Sequence, residues 1–197
     1  MNKKFGSNIK RWWYLYLITL FVLPLGVYYL SYSVNYPKNE EIITLFFASC
    51  KTDYSKVSEK LNENKPSYLR KIEINSYLYD DERLKGIYLP AFGASSDIVL
   101  LPEIVIDDSF IVSNFIPLKD ISDLTFEKES SYCPSFDQQP YGQIIHKKGD
   151  SSGDYFSFFD SEHEDMNYYL FFNRNSIHLK KEWNTICLFS SILEECR

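Results

Sequence analysis

Histidine is scarce in this sequence of 197 residues: His146, His163 and His178 stand far apart. No G-x-S-x-G, phosphate-loop or C-x-x-C pattern accompanies them to organise a nucleophile. The motifs therefore give no support to an enzyme, and no cofactor is called for. Basic side chains are also in deficit, 21 against 27 acidic, for a formal charge of −6. Lys3, Lys4, Lys10 and Arg11 are the only charges in residues 1–34, so taking those four cations from −6 leaves −10 on residues 35–197. That balance excludes a nucleic-acid partner, which needs surplus Lys and Arg to displace counterions from phosphates. Internal repeats and low-complexity tracts are absent. What is present, 45% hydrophobic and 17% aromatic residues, is the composition of a folded protein, and residues 35–197 suffice for one domain at about 100 to 200 residues each.

Residues 12–34 contain no charge. At 1.5 Å per helical residue they reach roughly 34 Å, enough for a hydrocarbon core of about 30 Å, so membrane lipid is the expected partner of this segment. Four cations precede it and the first acidic residues after it are Glu40 and Glu41. The positive-inside rule then places residues 1–11 in the cytoplasm and the remainder outside the cell membrane. Trp12, Trp13, Tyr14 and Tyr16 at one end, and Tyr28, Tyr29, Tyr32 and Tyr36 at the other, suit the interfacial belts. Pro24 and Gly26 allow a kink. A cleaved signal peptide competes with a retained signal anchor, since Ser31 and Ser33 offer small residues at the right separation. The apolar run exceeds the roughly 7 to 15 residues of a signal core, which favours retention. Ala48-Ser49-Cys50 resembles the end of a lipobox, but Asn39, Glu40 and Glu41 separate it from the apolar run.

After a polar linker, residues 35–41, the apolar run 42–47 reads as a buried parallel strand. Residues 53–61 open on a capping Asp53, set Tyr54, Val57 and Leu61 at helical spacing, and meet Pro66. Residues 71–79 alternate as a strand, completing a βαβ unit. A short helix is expected near 80–88, a turn-rich stretch at 89–96 and a buried strand at 97–101 closed by Pro102. Residues 103–128 read as helical turns and loop with an anchor at Phe115-Ile116-Pro117-Leu118, and residues 127–140 as loop. Strands follow at 141–146, with 155–159 as hairpin partner, and at 166–172. A helix over 184–196 is capped by Asn184.

An apolar strand ending Phe46-Phe47-Ala48-Ser49, a helix from Asp53, Gly93-Ala94-Ser95-Ser96 running into Asp97-Ile98-Val99-Leu100-Leu101-Pro102-Glu103, Phe115-Ile116-Pro117-Leu118, and Tyr141-Gly142 opening a strand follow one another in order. With Tyr168-Tyr169-Leu170-Phe171-Phe172-Asn173 and the closing helix, this order resembles the first lobe of the extracytoplasmic solute-binding proteins of ABC importers. The resemblance covers most of residues 42–197 and implies an α/β, Rossmann-like three-layer domain behind a single transmembrane helix. Family members close two lobes over a solute. Only residues 147–167 occupy the place of the second lobe here, so the expectation is one lobe and binding of free solutes no tighter than about millimolar.

If a ligand site survives, it belongs in the crevice beyond the carboxyl ends of the strands. The candidates are Ser49, Cys50, Lys51 and Thr52 after the first strand, Asp80 and Asp81 after the second, and Gly93, Ser95 and Ser96 in the loop entering the third. Ser and Gly are equally what turns demand. The cluster Asp160-Ser161-Glu162-His163-Glu164-Asp165 lacks the Gly and terminal Glu of a Ca²⁺ loop, and Asn167 breaks H-E-x-x-H, so a solvated loop is expected and no metal. Asp107, Asp108 and Glu103 show no opposed environments and take no role. Cys50, Cys133, Cys187 and Cys196 allow three full disulfide pairings or buried free thiols. The leading expectation is a non-enzymatic binding or accessory protein serving a membrane transporter or sensor. The alternative is an interaction module with a vestigial crevice that docks another membrane protein or self-associates, and a small surface hydrolase comes third.

Overall fold

The computed structural model describes residues 3–49, 53–121, 131–148 and 166–179. The chain divides into two compact units, Met1–Lys38 and Asn39–Arg197. In the first, helix α1 (Lys3–Asn35) runs through Pro24 as one element. Its segment Trp12–Asn35, with mean hydropathy 1.7, is long and apolar enough to cross a membrane, a property shared by anchors and signal sequences. Leu20 and Leu25 are 64% and 65% exposed, so water is a poor solvent for this surface. The hydroxyls of Thr19 and Ser33 donate back to the Leu15 and Leu30 carbonyls, which spares the helix two unpaired polar groups.

The second unit is built on a six-stranded sheet in the order β2-β1-β3-β6-β5-β4. β1 (Ile42–Ser49) lies between β2 (Lys71–Leu78) and β3 (Ile98–Pro102), parallel to both. Its other half is antiparallel: β6 (Tyr168–Phe172) pairs with β3 and with β5 (Gly142–His146), and β5 with β4 (Ser131–Tyr132). Helix α2 (Ser55–Asn64) connects β1 to β2. A π turn (Leu84–Tyr88), α3 (Leu89–Ala91) and a 3-10 turn (Gly93–Ser95) connect β2 to β3. Helix α4 (Asp108–Asn114) follows β3.

The alternation of side chains along each strand sorts the core into two layers. Ile43, Leu45, Phe47, Ile98, Leu100, Leu170 and Phe172 meet Tyr54, Val57 and Leu61 on the α2 side. Phe46, Ala48, Val99, Leu101 and Phe171 meet Leu84, Leu89, Val105, Ile111 and Phe115 on the other. Both faces of the sheet are thus covered, as the non-alternating apolar runs at 42–47 and 97–101 imply; each large side chain so removed from water contributes about 1.5–3 kcal/mol. Gly142 is where β5 closes on β6, since a Cβ there would lie 2.6 Å from Phe171 Cε1.

The turn-rich stretch 89–96 consists of α3 and the 3-10 turn, with Pro90 in the first turn of α3. Two expectations need correction. The 127–140 stretch contains β4, two residues too short to carry a period. α2 begins at Ser55 with Tyr54 at its cap position; Asp53 acts one residue upstream, its Oδ1 accepting the Ser55 N–H at 3.0 Å. The strand at 155–159, the acidic loop 160–165 and the helix 184–196 lie outside the described residues, as do Cys50, Lys51, Thr52, Cys187 and Cys196. Cys133 is an exposed free thiol.

Candidate functional site

At the carboxyl end of β1, Ser49 is 1% exposed and its hydroxyl is bonded to the phenol of Tyr54, whose ring packs edge-on against Phe47 at 5.1 Å. The Ser49 carbonyl accepts the Tyr79 N–H at 2.9 Å, so neither polar end of Ser49 faces solvent. Beside it, after β2, Asp80 is exposed. Asp81 grips Arg83: Oδ1 accepts from the Arg83 N–H at 2.8 Å and from Nε at 3.1 Å, and Oδ2 from Nη2 at 3.0 Å. The Arg83 side chain, then its backbone N–H, holds the Asp81 carboxyl below its usual range. The guanidinium lies 5.2 Å over the Tyr88 ring. Tyr88 stacks on Tyr77 at 4.3 Å, and Tyr77 on Phe46 at 5.2 Å and Phe92 at 5.9 Å, making an aromatic shelf along edge strand β2. Burial, then the neighbouring Tyr88, raises the Tyr77 phenol.

The structure does not bring Gly93, Ser95 and Ser96 to that end. They precede β3, which runs parallel to β1, so they lie at the amino ends of the strands. Asp97 donates its N–H to the Thr44 carbonyl at 2.8 Å, five residues or about 17 Å of strand before Ser49. A loop entering a parallel strand is never on the same side as a loop leaving its neighbour, and that rule separates the two sets. Ser95 Oγ donates to the Ala91 and Phe92 carbonyls and Ser96 Oγ to that of Phe92, so both hydroxyls close their own helical turn. Gly93 is a packing residue: a Cβ there would lie 2.7 Å from Leu89 Cδ1.

Two polar clusters carry little local signal in the sequence. At the amino ends, Asp97 is 8% exposed. Its Oδ2 accepts from Thr44 N at 2.8 Å and Thr44 Oγ1 at 3.1 Å, and its Oδ1 from Ser176 Oγ at 2.6 Å. Ser176 Oγ accepts the His178 N–H at 3.2 Å, and His178 Nε2–H donates to the Ile42 carbonyl at 2.8 Å. Asp, Ser and His meet here in the wrong roles for a triad: the serine proton goes to the aspartate, and the imidazole serves a backbone carbonyl.

The second cluster spends Asp107 and Asp108. Asp107 Oδ1 caps α4, accepting from Ser109 N at 2.8 Å and Phe110 N at 3.1 Å. Asp108 accepts from the Tyr132 hydroxyl and, through Oδ2, from Ser135 N at 2.8 Å and Ser135 Oγ at 2.5 Å. Asp-Asp-Ser before an apolar run is the one local signal that could have found the cap; partners 24 and 27 residues away leave none. Glu103 accepts from Asn167 Nδ2 at 2.6 Å. Among the described residues no three His, Cys, Asp or Glu side chains come together as a metal site.

No family model and no curated protein matches this chain. Among solved structures it is similar to an ABC substrate-binding protein from Listeria monocytogenes in complex with cycloalternan, at 14% identity and a TM-score of 0.38. The similarity covers 62% of this chain and 34% of that one, so the chain spans about a third of that protein's length. Similarity at this level assigns neither a ligand nor an activity.

Proposed function

We propose that this chain is a non-enzymatic envelope protein, held in the cell membrane by residues 12–34 with its amino terminus in the cytoplasm, whose extracytoplasmic unit works by docking another membrane protein. The observation that carries the reading is Ser49. The hydroxyl at the last residue of β1 is buried and bonded to the phenol of Tyr54, which supports a reading in which Ser49 serves the core and not a solute. Calorimetry of the full chain in lipid nanodiscs tests it: free mono- and disaccharides should bind no tighter than about millimolar, or roughly 4 kcal/mol, and a micromolar dissociation constant overturns it. Protease added outside intact cells should digest the globular unit and spare the amino terminus; a protected globular unit sinks the topology.

A second reading, an accessory solute-binding component, is favoured by the aromatic shelf. Tyr77, Tyr88 and the 42%-exposed Phe92 stand beside Asp81 and Arg83 near the carboxyl end of β2. Such a surface offers one wall, whereas tight small-molecule sites bury about 70–90% of their ligand.

A further inference from the structure

We propose that the first turns of α1, ahead of its apolar segment, form a binding site for anionic phospholipid headgroups, with Lys10 and Arg11 at the phosphates and Lys3 and Lys4 reinforcing them. The proposal rests on the membrane reading above and names what the cytoplasmic end of the span recognises. α1 starts at Lys3 and continues as one helix into Trp12–Asn35. The residues before Trp12 are therefore set at a fixed height and rotation relative to the apolar segment.

At about 100° per residue, positions 3, 4, 10 and 11 fall within an arc of about 120°, while Phe5, Ile9 and Trp12 fall within an arc of about 60° on the opposite side. All four cations of residues 1–34 thus share one side of the helix, and Ser7 takes the middle of their arc. Membrane orientation depends on how many cations flank a span and is indifferent to the side they take. A one-sided arrangement goes beyond that requirement and concentrates positive field toward a ligand. The start of the helix adds a separate argument. A helix amino terminus carries about half an elementary positive charge and favours acidic residues in its first turn. α1 has none there and has Lys3 and Lys4 instead. A bound anion lowers a repulsion that no acidic residue of that turn offsets.

Position identifies the anion. Trp12 and Trp13 suit the interfacial belt, and Lys10 and Arg11 come directly before them, at the height of the lipid phosphates. Lys3 and Lys4 lie seven residues further out, which is about 10 Å of helix and about one Debye length at physiological salt. The Arg11 guanidinium is a planar fork matched to two phosphate oxygens, and the lysines act as point charges. An acidic protein would have to reach the same face within a layer where phosphates are already packed. Between Arg11 and Lys38 the chain has no charge, so headgroup selection belongs to the cytoplasmic leaflet.

The test uses the full chain reconstituted in phosphatidylcholine vesicles with a trace of spin-labelled phosphatidylglycerol or, separately, spin-labelled phosphatidylcholine. Electron paramagnetic resonance reads the fraction of each lipid immobilised at the protein. At low salt the anionic lipid should be favoured at least about twofold, and about 1 M salt, which shortens the Debye length to about 3 Å, should bring the ratio close to one. Lys10→Gln with Arg11→Gln should remove most of the preference, Lys3→Gln with Lys4→Gln a smaller share, and Lys10→Arg none. Equal immobilisation of the two lipids at low salt overturns the proposal and leaves the span standing, as does a preference that survives replacement of all four cations by Gln. Immobilisation of neither lipid rejects the membrane reading, and this proposal with it.

Discussion

The two ends of the three parallel strands treat polar groups in opposite ways. At the amino ends one carboxylate, Asp97, ties β1 to β3 and to the segment after β6 through three bonds, and His178 adds a fourth tie to the first residue of β1. At the carboxyl ends, among the described residues, the hydroxyls of Ser49 and Tyr54 are paired, and the neighbouring polar groups Asp81 and Arg83 lie outside on an aromatic shelf. Among the described residues the contrast places the buried carboxylate tie between strands at the amino ends and the exposed ion pair near the carboxyl end of β2.

Asp97→Ala is the strongest way to break that contrast. It strands the Thr44 N–H and the Ser176 hydroxyl in the core and should cost about 3 kcal/mol in denaturant unfolding; a cost no greater than that of Ser49→Ala would erase the difference between the ends. Tyr54→Phe comes next, removing one neutral hydrogen bond for about 1 kcal/mol. A larger loss would mean that the carboxyl end holds the fold as well.

The acid limb of stability sharpens the comparison further. Asp81 has its folded pKa depressed below 3.8, so its pairing with Arg83 stabilises fully above that value and is lost as pH falls through the folded pKa. Because the pair is exposed the effect should be slight, seen as a small acid-side difference between the parent and Asp81→Asn that vanishes in high salt. Smallest of all, Ser95→Ala should change stability by less than about 0.5 kcal/mol, since that exposed hydroxyl only caps its own turn. A bigger change would mean that Ser95 has work beyond its turn.

The elements legible in the sequence are those whose own residues form an unbroken apolar run or carry a period. β1, β3 and β6 are apolar runs, α2 sets Tyr54, Val57 and Leu61 on one face, and β2 alternates. β4 has two residues and no period, and the antiparallel entry of β6 beside β3 depends on where the chain returns, which no local pattern encodes. For the site, Ser49 at the end of β1 is readable from the apolar run before it, whereas helical spacing marks Tyr54 as a face residue and does not show that its hydroxyl meets Ser49. Gly93, Ser95 and Ser96 have the composition of a ligand loop, but the direction of β3 puts the loop that enters it at the amino ends. Asp97 reads in the sequence as the first residue of a buried strand; its importance lies in Thr44 and Ser176, 53 and 79 residues away.

β3 has β1 along one edge and β6 along the other, and all five of its residues are buried. A chain made amino end first delivers β1, α2, β2 and β3 well before β6. At about 5–20 residues per second, residues 103–167 occupy the ribosome for roughly 3 to 13 s, and through that interval one edge of an apolar strand waits without its partner. Open edges of that kind recruit the wrong chains. Substitutions in β6 should therefore be felt first in the yield of folded protein, before any change in its melting point.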